Sequence, residues 1–255
     1  MLDARPPLSA TLITLNAAAQ LPACLDSLAF CDEIVVVDSG SQDGTIELAR
    51  SRGARVIHCD WRGFGKQKQF AVEQASHEWI LSIDADERVS ERLQESIRQA
   101  LAVPHHQHQA YRFPRCNRFL GRYLRHGEGY PDMSLRLFNR RHARWSDDSV
   151  HEKVLTDSDT TPGTLVGDLL HDSAETLDSY LAKQNRYTTL AAIQAVARGK
   201  RSHAGQLLLS PLLRFVKFYF FRRGFLDGLP GLVHILIGCT NSFTKHAKII
   251  ELQKR

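Results

Sequence analysis

Two carboxylates stand one residue apart near the end of the stretch 79–87, Trp-Ile-Leu-Ser-Ile-Asp-Ala-Asp-Glu. In an extended chain, side chains two apart point the same way, so Asp84 and Asp86 share a side. No Lys or Arg separates them, and like charges this close repel unless a cation lies between. Oxygen ligands suit Mg²⁺ or Mn²⁺, ions that keep water and bind substrate phosphates through few protein groups. Taken alone, Asp-x-Asp is more often a solvated acidic turn, so the rest of the chain has to decide.

The elements that position this pair are legible around it. Residues 80–83 form an apolar run with polar or turn-prone neighbours, which reads as a buried strand of a parallel sheet. Open α/β sheets place their ligands at the carboxyl ends of such strands. Residues 8–15 give a first strand ending at Asn16. Leu21, Leu25 and Leu28 mark a helix whose Pro22 is tolerable in the first turn. A second buried strand at 34–37 ends at Asp38, and the small-residue loop 39–45 opens a helix over 46–52. Residues 55–59 form a third strand, 70–75 lie on a helix, and Leu93, Ile97 and Leu101 mark another. Strands alternating with helices at this spacing imply right-handed βαβ units and a parallel sheet.

After Pro104 the pattern changes. Residues 111–115 and 134–138 alternate like strands, an antiparallel addition that forms the second wall of a cleft. His105, His106 and His108 fit a polar surface loop better than a metal site. Residues 177–197 and 206–221 read as helices, 227–231 as a break, and 241–252 as a last helical stretch. The fold class is therefore α/β, one domain with a mostly parallel central sheet and a C-terminal helical extension. The expected division is one domain over 1–175, with a first half at 1–103 and a second at 104–175, and 176–255 for the extension.

The 255 residues suffice for this plan, and five scattered cysteines without a C-x-x-C pair argue against a disulfide framework or structural zinc. A reducing cytosol is the expected compartment, and residues 1–7 lack the charged-then-apolar order of a secretory leader. The net charge of +5 is modest. Its placement is not: 198–223 holds Arg198, Lys200, Arg201, Arg214, Lys217, Arg222 and Arg223 without one acidic residue. These cations interleave with Leu207, Leu208, Leu209, Phe215, Phe218, Phe220 and Phe221. The run is too short and too charged to span a bilayer. It reads either as an interfacial helix on anionic lipid or as a helix packed on the core. No base-reading motif points to nucleic acid.

Asp38 ends a strand where a carboxylate can accept from a uracil N–H or a ribose hydroxyl, so ligand binding is expected of it. Asp43 suits helix capping instead. Asn16 after the first strand, the run Val-Val-Val-Asp38 with its Ser-Gly-Ser-Gln-Asp-Gly-Thr loop, the Gly-Phe-Gly-Lys-Gln-Lys of 63–68 and the Ile-Asp-Ala-Asp of 83–86 together resemble family 2 glycosyltransferases of the GT-A fold. Arg136-Leu-Phe, Val150-His-Glu, and His171 with the tyrosines at 180 and 187 beyond it resemble the subgroup acting on the lipopolysaccharide inner core as β-glucosyltransferases.

That resemblance makes 1–175 the catalytic domain, with a nucleotide-binding half at 1–103 and an acceptor half at 104–175, and it implies roles residue by residue. Thr14, Asn16 and Asp38 would surround the nucleoside, and Asp84 would contact the ribose or the metal. Asp86 would ligate Mg²⁺ or Mn²⁺ bridging the diphosphate, with His171 a further ligand or phosphate contact. Lys66 and Arg136 would neutralise phosphate charge. Glu152 falls where this family keeps its catalytic carboxylate and would be the general base, with His151 beside it. The reaction would be transfer of a hexose, glucose by resemblance, from a UDP-sugar to a lipid-linked saccharide, at the cytoplasmic face of the inner membrane. A single base opposite the leaving group implies inversion. A dehalogenase-type phosphatase also ends a strand in Asp-x-Asp, but it needs Thr or Val where this chain has Arg88. A non-catalytic nucleotide-sugar or glycan-binding module at the membrane surface is the alternative.

Overall fold

The computed structural model describes residues 5–103, 107–148, 152–173 and 176–254. They divide into two compact units: residues up to 115 together with 132–172, and residues 116–131 together with those from 173 onward.

In the first unit, β1 (Leu8–Thr14) is buried along nearly its whole length. After it come α1 (Leu21–Ser27), β2 (Glu33–Asp38), α2 (Thr45–Ser51), β3 (Arg55–His58), α3 (Phe64–Gln74) and β4 (Trp79–Ser82). The four strands are parallel in the order β3-β2-β1-β4. The direction of winding reverses at β1, whose neighbours are β2 on one side and β4 on the other. Such a reversal leaves a crevice at the carboxyl ends of the strands. Thr14, Asp38 and the acidic pair after β4 all lie at that end.

Beyond β4 the sheet is no longer purely parallel. β5 (Glu87–Val89) and α4 (Glu91–Ala102) follow β4, and Ser90 caps α4 through the Leu93 N–H. Next come β6 (Ala110–Phe119), β7 (Arg122–Tyr123) and β8 (Asp132–Asn139), with β8 lying antiparallel between β4 and β6. β9 (Ala143–Trp145) and β10 (Val154–Thr156) pair as a small antiparallel sheet. β11 (Gly163–Thr164) joins β6, and β12 (Leu169–His171) runs antiparallel to β5.

Strand alternation sends successive side chains into two cores. Leu12, Leu81 and Leu137 join Leu93, Ile97 and Leu101 of α4 on one face. Val35, Ile80 and Phe138 join Trp145 on the other. Fully burying side chains of this size stabilises by about 1.5–3 kcal/mol each, which fixes the register of β4 and hence the direction of the acids beyond it.

The second unit contains α5 (Leu177–Ala197), α6 (Ala204–Phe215), a π-helical turn at Val216–Phe221, a 3₁₀ turn at Gly224–Asp227 and α7 (Gly228–Leu252). The single helix expected over 206–221 thus changes winding after Phe215. The break expected at 227–231 is tighter than the sequence implies, because α7 starts at Gly228 and carries Pro230 in its first turn, where no N–H is needed. Residues 116–131, expected with the acceptor half, pack instead with these helices. The reason is a buried carboxylate: Asp227 Oδ2 accepts the N–H groups of Arg125 and His126 at 2.9 and 2.8 Å. Among the described residues, no helix is long and apolar enough to cross a membrane.

Candidate active site

The site is built on the tight turn after β4. Glu87 is wholly buried, and its Oε2 accepts the Asp84 N–H at 3.0 Å while the Glu87 N–H returns to the Asp84 carbonyl at 2.9 Å. Its Oε1 lies 3.5 Å from Arg136 and 3.6 Å from Arg115. Burial pushes the Glu87 carboxyl above the usual glutamate range despite Arg136, and the Asp84 charge adds to that rise. A buried acid of this kind survives only because cations and a backbone donor surround it.

Asp84 has both carboxylate oxygens engaged. Oδ1 is 2.8 Å from Lys68 Nζ and Oδ2 is 2.9 Å from Arg136 Nη2. Burial alone would raise this carboxyl, but Arg136 and Lys68 outweigh it and hold Asp84 well below the usual carboxylate range. Asp84, expected to meet the ribose or the metal, thus holds Lys68 and Arg136 in place at the tip of β4.

Lys68 is the residue that sequence reasoning missed. Its side chain is 5% exposed and also reaches Glu152 Oε1 at 3.0 Å. The Trp145 ring lies 4.8 Å from Nζ and 5.2 Å from the Arg136 guanidinium carbon, and a ring face attracts both cations. Trp145 is fixed in turn by Nε1–H donation to Ser82 Oγ at 3.2 Å and by donation from its backbone N–H to Gln69 Oε1 at 2.9 Å. Lys66, expected to meet phosphate, is exposed on α3. Helical spacing separates the two lysines: position 68 lies three and four residues before buried Ala71 and Val72, and position 66 does not.

Glu152 is held by its neighbour. The Lys153 carbonyl accepts the Ser146 N–H at 2.8 Å, and the Lys153 N–H donates to Ser146 Oγ at 3.1 Å. α3 presses on the same loop at Gly65, where an added Cβ would fall 2.1 Å from the Ser146 carbonyl oxygen. Only glycine permits that approach, so Gly65 sets the spacing between Lys68 and the Glu152 segment. His151 lies outside the described residues.

Asp86 and His171 come together, with Oδ2 and Nε2 3.2 Å apart. The pairing of β12 with β5 sets His171 opposite Glu87, which carries the imidazole to the acidic turn. No group of three or more His, Cys, Asp or Glu side chains converges among the described residues. A carboxylate with an imidazole still fits Mg²⁺ or Mn²⁺, which take one or two protein donors and complete their shell with water and substrate phosphates.

At the ends of β1 and β2 a second cluster forms. Asp38 is fully buried. Its Oδ1 accepts the N–H groups of Gly40 and Ser41 at 2.9 and 2.8 Å, and its Oδ2 accepts the Thr14 hydroxyl at 2.8 Å and the Ser41 hydroxyl. Burial would raise the Asp38 carboxyl, but these donors hold it low. Asp38, expected to meet the nucleoside, thus shapes this loop through four donors. Asn16 joins the same loop, taking the Gln42 N–H on Oδ1 at 2.9 Å and donating its own N–H to Ser41 Oγ at 2.8 Å. Asp43 closes on the start of α2 by accepting the Thr45 N–H at 3.1 Å, the capping expected of it. Thr14, Asn16 and Asp38 are thus brought together, with only Asn16 exposed.

Comparison with known proteins adds the lineage. Residues 9–156 match the family model described as glycosyl transferase family 2. Over 251 residues the chain is 36% identical to the lipopolysaccharide core biosynthesis glycosyltransferase LpsC of Rhizobium meliloti, covering 96% of this chain and 92% of that protein. It is 30% identical over 255 residues to an uncharacterized glycosyltransferase of Rickettsia typhi, covering 96% and 87%. Among solved structures, the mannosyltransferase PcManGT of Pyrobaculum calidifontis, in complex with GDP-Man and Mn²⁺, superposes with a TM-score of 0.51 at 17% identity. That match covers 98% of this chain and 87% of the other, and it is a likeness of fold.

Proposed function

The chain belongs to glycosyl transferase family 2, and on that premise we propose that it transfers a hexose, glucose by preference, from a UDP-sugar to a lipid-linked saccharide of the lipopolysaccharide inner-core type. The observation that carries this reading is the single buried ammonium of Lys68, which meets the donor-side acid Asp84 and the acid Glu152 at once. The LpsC relative supports the acceptor class. Asp86 and His171 are the residues that would hold Mg²⁺ or Mn²⁺, and such an ion supplies Lewis-acid neutralisation of a departing diphosphate.

The chain's own groups do the rest. The loop shaped by Asp38 and Asn16 presents backbone at the crevice where the nucleoside binds. Arg136 and Lys68 provide fixed positive charge beside the leaving group, preorganised by Asp84, Glu87 and Trp145. Glu152 takes the proton from the acceptor hydroxyl as it attacks the anomeric carbon, a role worth typically 10²–10⁴-fold in rate. A single base on the face opposite the leaving group gives inversion. The catalytic unit is residues 1–175 in this reading, apart from the segment 116–131.

The helical unit supports a peripheral place at the cytoplasmic membrane face. Leu208 and Phe221 are 76% and 80% exposed, and Leu209, Leu212, Leu213 and Phe220 are more than half exposed. So much exposed apolar surface marks an interaction face. Lys217 lies among these residues in the sequence and Arg222 and Arg223 directly follow them, and each cation near an anionic surface contributes about 1 kcal/mol.

A panel of nucleotide sugars, scored for hydrolysis and thermal stabilisation with and without Mn²⁺, tests the assignment. UDP-sugars at a hundredfold excess over Kd should stabilise by about 2.7 kcal/mol. Indifference to every nucleotide sugar under both conditions overturns it.

A further inference from the structure

The helical unit contains a cavity of about 380 Å³ lined by α5, α6, α7 and Glu128. That volume lies within the range of small-molecule sites. Its floor is built by a close approach: Glu128 forms a two-pronged ion pair with Arg214, with Nε 3.0 Å from Oε2. A Cβ at Gly238 would fall 2.2 Å from that same Oε2, so a larger residue there would push the Glu128 carboxylate aside. The wall is equally fixed. Tyr180 Oη is 3.2 Å from His234 Nε2, and the Phe119 ring packs on both, 5.5 and 5.3 Å away between centroids. Burial, with Arg214 nearby, pushes the His234 imidazole below its ordinary range.

Three polar groups remain unused in this setting. Lys245 lines the cavity and has no hydrogen-bond or ion-pair partner among the described residues. The one acid lining the cavity, Glu128, is spent on Arg214, so the cavity carries an uncompensated cation. Asn241 donates to Gln184 Oε1 at 2.9 Å, which leaves Asn241 Oδ1 as an acceptor and the Gln184 amide N–H as a donor side by side. A hydroxyl, at once donor and acceptor, complements such a pair. Tyr180 and Tyr187 add apolar ring surface with polar tips. Ten of the twelve lining residues carry a polar group, which interrupts any apolar track for an acyl chain, and the charge balance favours an anion.

We propose that this cavity binds a saccharide carrying a phosphate or carboxylate, with the anionic group at Lys245 and sugar hydroxyls at Gln184 and Asn241. The site lies wholly within the helical unit, and taking its ligand as part of the acceptor rests on the saccharide acceptor proposed above. It gives the helical unit a substrate-recognising role beyond any contact with lipid.

Ligand-observed saturation-transfer NMR on the full chain tests this with glucose 6-phosphate as probe, and with glucose and inorganic phosphate as comparisons. UDP and Mn²⁺ in excess keep the donor crevice filled. Glucose 6-phosphate should give transfer that persists under UDP, and both Lys245→Ala and Tyr187→Ala should weaken it at least fivefold. Lys245→Gln and the melting temperatures distinguish lost contact from lost fold. Displacement by UDP, equal binding of inorganic phosphate, or indifference to the variants overturns the proposal. Stabilisation of the wild-type chain by UDP, measured in the same samples, reports separately on the donor assignment.

Discussion

Lys68 Nζ and Glu152 Oε1 lie 3.0 Å apart although 84 residues separate them in the chain. The same ammonium is 2.8 Å from Asp84. Lysine's charge is compact, so one side chain bridges two carboxylates that would otherwise repel. The Trp145 face beneath it keeps the cation from retreating.

Replacing that cation should therefore do more than weaken phosphate binding. Lys68→Met is expected to lower kcat/KM by about 10²–10³-fold, the usual loss when one preorganised charge is removed. Lys66→Met, on the exposed side of the same helix, should cost far less. Steady-state kinetics with the donor found in the nucleotide-sugar panel compares the two, and equal losses would contradict the role given to Lys68.

Glu152→Gln separates binding from chemistry. Transfer should fall by about 10²–10⁴-fold while UDP affinity stays near wild type. Calorimetry for UDP alongside product formation reads both quantities. Transfer at the wild-type rate would exclude Glu152 as the base.

Asp86 is one-third exposed and its only ion-pair partner among the described residues is His171, so Asp86→Ala should fold normally. It should also abolish the Mn²⁺-dependent part of UDP binding, and His171→Ala should weaken it less. Titration of UDP with and without Mn²⁺ decides, and an unchanged Mn²⁺ response in Asp86→Ala would refute the ligand assignment.

Glu33 offers a pH test away from the site. Ser9 and Ser76 hydroxyls, the Ser76 N–H and Arg55 all donate to its carboxylate, at 2.6–2.8 Å. Burial opposes them, but they prevail and lower the carboxyl to about 2. A depressed pKa stabilises the fold above the unfolded value, and that contribution disappears as pH falls toward the folded one. Glu33→Gln should thus cost on the order of 1–2 kcal/mol near neutrality, after screening of the partly exposed Arg55. Denaturant melts should show the gap to wild type narrowing from pH 5 to pH 3, and a gap independent of pH would refute the linkage.

The exposed leucines and phenylalanines of the helical unit predict lipid binding. Flotation with anionic vesicles should carry the protein at low salt, less so at high salt, and less still for Phe221→Asp with Leu213→Asp. Failure of the wild type to float at low salt would exclude the membrane face.

Much of this was legible in the chain because local pattern and tertiary need agree. The apolar run before Asp38, the acids after β4 and the Leu93, Ile97 and Leu101 stripe all sit where periodicity put them. Glu87 was not legible as a structural acid, since its partners Arg115 and Arg136 come from strands later in the sequence. The surroundings of Asp38 were hidden for a related reason. An apolar strand gives no sign that four donors await its last residue, and a buried charge without visible partners reads as a ligand contact. The choice between Lys66 and Lys68 was available from helical spacing, but only once α3 is known to begin at Phe64, ahead of the apolar positions that announce it.

The place of β8 beside β4 has a consequence during synthesis. Asp84 and Glu87 leave the ribosome 52 and 49 residues ahead of Arg136, an interval of several seconds at about 5–20 residues per second. Until β8 inserts, a nascent chain holds an acidic tip that lacks Arg136 and a β4 edge open to other strands. The order of translation thus leaves this edge unpaired until β8 has been made.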